Sequence, residues 1–197
     1  MPTLASAALE PENCLAADPE RNASWRTFMN TRRIARATLL TALAVALSRF
    51  SIPVGTTKIS PTQHMVNVLA AVLVGPWYAV LMAFITSLIR LLLNWGTINA
   101  FAGSMIGALL AGLAWKVTRN IYLTGLGEII GTGILGTLMT VYIVAPYISN
   151  KAFALTTIGL AFLVSTVTGS IVAVIILRSL AAVGYRQMSY TETPDVD

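Results

Sequence analysis

Three stretches of this chain hold no charged residue over lengths that suit a lipid bilayer. Leu91–Trp115, Ile129–Asn150 and Ala152–Leu177 each reach or exceed the ~20 residues a helix needs to cross the hydrocarbon core. They do not alternate polar with apolar, so a β-barrel is excluded. Without water to satisfy a lone backbone, helices remain as the way through. Composition agrees: 56% of the 197 residues are hydrophobic and 11% charged, with a mean hydropathy of +0.74, where a soluble domain carries about a quarter charged residues. The chain is expected to be an all-α integral membrane protein.

Punctuation divides it into a six-helix bundle. Residues 1–30 are polar, rich in Ala, Pro and Asn, and read as a mobile cytoplasmic arm with a helical tendency near Trp25–Phe28. Residues 31–186 form the membrane domain and 187–197 a polar cytoplasmic tail. The first span is predicted over Ile34–Phe50. The uncharged run Ile59–Ile89 would be ~46 Å as one helix, too long for one crossing. Gly75-Pro76 splits it into a short second helix, Met65–Val74, packed within the bundle, and a third, Trp77–Leu93. A fourth runs over Ile98–Val117, and a fifth over Tyr122–Ala145, closed by Pro146. After a turn at Ser149-Asn150-Lys151 comes a sixth, Ala152–Leu180.

With six crossings both termini share a side. Nine basic residues fall there: Arg21, Arg26, Arg32, Arg33, Arg36, Lys116, Arg119, Arg178 and Arg186. Four fall opposite: Arg49, Lys58, Arg90 and Lys151. That bias places both termini in the cytoplasm. The net charge of +5 therefore reflects orientation in the membrane, not nucleic-acid binding. The first 30 residues lack a basic start followed by an apolar core, so no cleavable signal is expected.

Polar side chains are scarce enough to be informative. Lys58, Gln63, His64 and Asn67 lie in one polar, proline-bearing passage that contains the sole histidine of the chain. Together with Arg90, Asn94, Asn99 and Ser104 they fall in or near the outer loops, where side chains from several segments can converge on a ligand. Arg90 ends the third helix, where it can anchor the interface or contact a ligand. Glu128 lies ~10 Å along the fifth helix from its cytoplasmic start. An intramembrane carboxylate is a functional candidate by default, but that depth separates it from the outer mouth. A structural or coupling role follows, with Lys116 or Arg119 as pairing candidates. Gly103-x-x-x-Gly107, Ala108-x-x-x-Gly112 and Gly127-x-x-x-Gly131 are spaced for close helix packing. Thr38, Ala42 and Ala46 make a similar stripe on the first helix, for inward packing or for docking a partner.

Several chemistries are missing. There is no G-x-x-x-x-G-K-[ST] phosphate loop, no metal-ligand cluster, and no G-x-S-x-G nucleophile motif. The lone Cys14 excludes an internal disulfide. No cofactor is implied. Ser104 with His64 is the nearest thing to a catalytic dyad, and it supports an intramembrane enzyme weakly. An autonomous secondary carrier is disfavoured by the lack of an internal repeat.

Pro53-Val54-Gly55-x-x-Lys58-x-x-Pro61-x-Gln63-His64-x-x-Asn67, Gly75-Pro76-Trp77-Tyr78-Ala79, the Gly103–Gly112 run and Gly127-Glu128-Ile129-Ile130-Gly131-Thr132-Gly133 resemble the ThiW family. Its members are substrate-binding S components of energy-coupling factor (ECF) transporters, linked to the thiazole precursor of thiamin. The resemblance covers about Ile34–Leu180, and the N-terminal arm falls outside it. It implies an S-component fold and a chain that captures a small molecule outside. Such a chain then joins a membrane coupling protein and two cytoplasmic ATPase subunits, so it needs no phosphate loop of its own. Thr38, Ala42 and Ala46 correspond to the docking stripe, with Thr38 departing from the usual alanine. For a hydroxyethylthiazole ligand, Gln63, His64, Asn67 and Asn99 offer hydrogen bonds, and Trp95, Phe101 or Tyr142 a stacking surface. Lys58 and Arg90 would suit its phosphate.

Overall fold

The computed structural model describes residues 19–54, 57–149 and 155–182. The arm before residue 19, the turn at Asn150-Lys151 and the 187–197 tail lie outside the described residues. The chain divides into two units, Met1–Ala35 and Arg36–Asp197. In the first unit the described residues are helical from Pro19. Helix therefore starts well before the boundary expected at residue 30. Pro19 suits a first helical turn, and no Gly or Pro interrupts the chain from Glu20 to Ser51.

The second unit holds the rest. Helix α1 (Pro19–Leu47) ends in a tight 3₁₀ turn, Ser48–Phe50. Strands β1 (Ile52–Val54) and β2 (Thr57–Ile59) pair antiparallel, Ile52 opposite Ile59 and Val54 opposite Thr57. Helix α2 (Pro61–Leu73) follows, then α3 (Pro76–Leu92), α4 (Asn99–Thr118), α5 (Ile121–Ile148) and α6 (Leu155–Ala182). The hairpin is an addition to the all-α expectation, and α2 starts earlier than Met65. Pro61 opens it as Pro76 opens α3: a missing N–H costs nothing in the first turn, and the ring presets φ. Gln63 and His64 thus sit on a helix, not in a loop.

Helix α5 also departs from expectation. Its backbone widens into π turns over Ile129–Gly136 and again over Thr140–Ser149, and Pro146 lies inside the second. In a wide turn the proline's missing donor is absorbed without ending the helix. The Gly75 break behaves as the sequence predicts, with φ of 92° immediately before Pro76.

Among the described residues, three helices are long and apolar enough to cross a membrane, α4, α5 and α6, with α3 somewhat shorter. Their outward faces are apolar: Trp77 (76% exposed), Leu92, Val117, Leu160 and Ile175 all point away from the protein. A soluble protein does not expose so much contiguous apolar surface; a lipid-facing bundle does. Inside, α2 packs against α3, α4, α5 and α6. Ten consecutive residues of it, Gln63 to Val72, are buried. From α1, Ala44 is buried in the same core while Ala37, Leu40 and Leu47 pack against it.

Lipid tails are as apolar as leucine, so close contact rather than hydrophobic burial must hold these helices together. Glycines supply it. A Cβ added at Gly131 would lie 2.7 Å from the Gly107 Cα, and one at Gly136 2.6 Å from the Gly103 Cα. Gly112 meets Pro76 in the same way. Gly131→Ala is expected to cost ~1–3 kcal/mol through overpacking. Gly125→Ala, whose new Cβ would stand 3.5 Å from Val174, should stay within ~0.5 kcal/mol. Denaturant unfolding in detergent checks the pair, and equal effects would remove the glycine seam as the reason α4 and α5 close.

Candidate functional site

The polar passage is sunk into the bundle. The Ser60 backbone N–H donates to Ser165 Oγ at 2.9 Å, and Ser165 lies ~15 Å along α6 from Leu155 at about 1.5 Å per residue. Gly169, a turn further, faces the Pro61 carbonyl and the His64 Cβ. At 13 residues α2 is only ~20 Å long, so its first turn starts near the middle of its longer neighbours.

That placement brings Glu128 to His64. The carboxylate is fully buried, and its Oε1 lies 2.8 Å from His64 Nδ1. The same oxygen accepts from Asn67 Nδ2 at 3.0 Å and from Thr132 Oγ1 at 3.2 Å. Asn67 Nδ2 also reaches Ser104 Oγ at 3.1 Å and its carbonyl at 3.2 Å. The expected separation of Glu128 from the other polar residues is therefore overturned: its partners are His64, Asn67 and Thr132, not the Lys116 or Arg119 pairing the sequence offered. The depth estimate along α5 stands, but α2 descends to meet it. Gly107 makes room, since a side chain there would strike Thr132 Oγ1 and Glu128 Oε2.

A cavity opens beside this cluster. Lys58 and Ser60 line it from above, Gln63 and His64 from α2, and Arg90 from α3. Thr97, Ala100, Gly103 and Ser104 line it from the start of α4, Thr132 from α5, and Phe162 and Ser165 from α6. Its free volume is about 20 Å³, room for about one water, against ~300–1,000 Å³ for ordinary small-molecule pockets. A ring-sized ligand must displace part of the wall. The hairpin lines the cavity through Lys58. Lys58 Nζ donates to the Asn94 and Trp95 carbonyls at 3.2 and 3.1 Å, where the C-terminal end of α3 favours a cation.

Of the residues expected from sequence, Lys58, Gln63, His64, Arg90 and Ser104 line the cavity. Asn67 and Glu128 are bonded to that wall. Arg90 is 2% exposed, which overturns its reading as an interfacial anchor; Gln63 Nε2 donates to Ser87 Oγ one turn before it at 3.0 Å. Asn94 and Trp95 take part through backbone carbonyls. Asn94 is exposed and adopts a left-handed turn (φ 57°), while the Trp95 ring lies under Arg49, 5.5 Å from its guanidinium carbon. Asn99 is buried but is not part of the lining. Tyr142 is 63% exposed and Phe101 packs edge-on to Phe84 at 5.7 Å, so neither supplies the ring surface here. Phe162 does. With Ser165 it was hidden in the most apolar helix; the signal was the small and polar series Ser165, Thr166, Gly169 and Ser170 on one stretch of it. Ser104 Oγ is engaged by Asn67, which tells against a dyad with His64.

Removing Glu128 strands His64 and takes one acceptor each from Asn67 and Thr132, which keep Ser104 and Gly103. Glu128→Ala is expected to cost ~3 kcal/mol, while Glu128→Gln, which keeps an acceptor, should cost ~1 kcal/mol. Thermal unfolding in detergent measures the difference; equal losses would mean that the cluster does not hold α2 to α5.

A family model described as thiamine-precursor transporter protein (ThiW) matches residues 34–183. Comparison with curated protein sequences returns no match. A solved structure, described as the S component of a bacterial ECF transporter, superposes with a TM-score of 0.67 at 18% identity. The match covers 80% of this chain and 99% of that one, and it establishes the fold. The glycine seam, the sunken Gln-His-x-x-Asn turn and the buried Glu128 lie within the matched residues, and the chain belongs to the ThiW family of thiamine-precursor transporters.

Proposed function

We propose that this chain is the substrate-capturing S component of an ECF transporter, and that its substrate is the hydroxyethylthiazole precursor of thiamin. The observation that carries the reading is the cavity between Lys58, Gln63, His64, Arg90 and Phe162, inside a member of a thiamine-precursor transporter family. The thiazole ring stacks on Phe162. Its nitrogen and hydroxyl meet the hydrogen-bonding groups of α2 and α4, and the hairpin closes over it. Six helices cross the membrane with both termini cytoplasmic, so the cavity loads from outside.

Delivery depends on a membrane coupling protein and two ATPase subunits that hydrolyse ATP. The docking surface is the stripe Thr38, Ala42 and Ala46. All three residues are exposed, while Ala37, Leu40 and Ala44 turn inward.

Titration calorimetry on the purified chain in nanodiscs tests the substrate. Hydroxyethylthiazole should bind, and His64→Ala, Asn67→Ala and Glu128→Ala should each weaken it at least tenfold, whereas Tyr142→Ala should not. No binding of any thiazole by wild type would sink the reading. Assembly is tested separately. Ala42→Trp should abolish co-purification with the ATPase subunits while ligand binding persists, and unimpaired co-purification would move the docking surface elsewhere.

A further inference from the structure

A neutral thiazole can accept a hydrogen bond from Arg90 but cannot pair its charge. Its side chain is 2% exposed, yet among the described residues Nε and Nη1 have no hydrogen-bond partner, and Nη2 reaches Ser51 Oγ at 3.4 Å. A buried arginine normally satisfies its five donors on carbonyls or carboxylates. Among the described residues none of the carboxylates pairs with it: the ion pair formed is Glu128 with His64. The C-terminal end of α3 favours a cation, but far less than burying an unpaired guanidinium costs.

Lys58 lines the same cavity. Its ammonium gives two N–H groups to the Asn94 and Trp95 carbonyls, which leaves one. Two cations with unspent donors thus line one cavity with the hydroxyls of Ser60 and Thr97. Glu128 is the sole acid between residues 31 and 182, and its bonds run to the α2 and α5 side.

We propose that the ligand taken by this cavity carries an oxyanion paired with Arg90 and Lys58, so that the thiazole is recognised as the phosphate ester of its hydroxyethyl arm. The inference rests on the thiazole reading above. A phosphate offers a guanidinium two parallel charge-assisted hydrogen bonds. An alcohol offers one oxygen and leaves the charge unpaired. The ring then lies toward Phe162 and Thr132, and the anion toward α3 and the hairpin.

Calorimetry in nanodiscs with the alcohol, its phosphate ester and inorganic phosphate tests this on wild type, Arg90→Gln and Arg90→Lys. Wild type should bind the ester at least tenfold more tightly than the alcohol. Arg90→Gln should erase that preference and Arg90→Lys keep part of it. Unliganded Arg90→Gln should melt no lower than wild type, because it loses an unpaired charge; a lower melting point would mark the side chain as structural and overturn the assignment. So would equal or tighter binding of the alcohol by wild type. If wild type binds neither thiazole, the substrate reading fails by itself. The anion site is then decided by inorganic phosphate: a rise in melting temperature in wild type that is lost in Arg90→Gln upholds it, and no rise overturns it.

Discussion

A carboxylate in the middle of a membrane bundle is tolerated only if its surroundings are built for it, and Glu128 sets that requirement here. One of its oxygens takes three donors, from His64, Asn67 and Thr132. Each contact imposes a condition on the chain. His64 and Asn67 must lie three residues apart on one helix face, so Pro61 has to start α2 early enough to make them helical. Thr132 must follow Glu128 by one turn, and its hydroxyl also reaches the Gly103 carbonyl at 2.9 Å. Gly107 must lack a side chain for the carboxylate to fit. Glycine spacing that sequence alone attributes to helix packing therefore serves two ends: it closes α4 on α5 and leaves the volume that the acid occupies.

The cavity follows from the shortness of α2. A helix of full span would fill the space above Gln63 with side chains. Instead the chain turns back as a two-stranded hairpin, whose pairing is marginal by itself. Lys58 fastens it to the end of α3 and Ser60 to α6.

How much of this was legible beforehand follows from the kind of signal each feature leaves. Length and absence of charge placed the long apolar helices, and Gly75-Pro76 placed the break between α2 and α3. The same proline rule was available at Pro61 and was masked by the polarity around it. Lys58, Gln63, His64, Arg90 and Ser104 were found because polar residues are rare. Depth was not legible, since residue counts measure distance along one helix and say nothing of where its neighbour begins. Phe162 and Tyr142 show the same gap: both are aromatic residues on apolar helices, and only the rotation of each helix decides which one faces inward. The widened turns of α5 rotate that helix as well as absorbing Pro146, so a period of 3.6 assigns its later faces wrongly.

The first two turns of α2 are where these constraints meet. Thr62 Oγ1 donates to the Leu47 carbonyl at the end of α1 at 3.5 Å. Gln63 reaches Ser87 on α3, Asn67 reaches Ser104 on α4, and His64 reaches Glu128 on α5. Pro61 lies against Gly169 on α6. About two helical turns therefore touch all five other helices, and two of their side chains line the cavity. A ligand that shifts His64 or Gln63 must disturb bonds to α5 and α3, and the Thr62 contact ties the same segment to the end of α1. The segment is too polar to float in lipid and too closely held to move alone, so it fixes where the cavity floor lies.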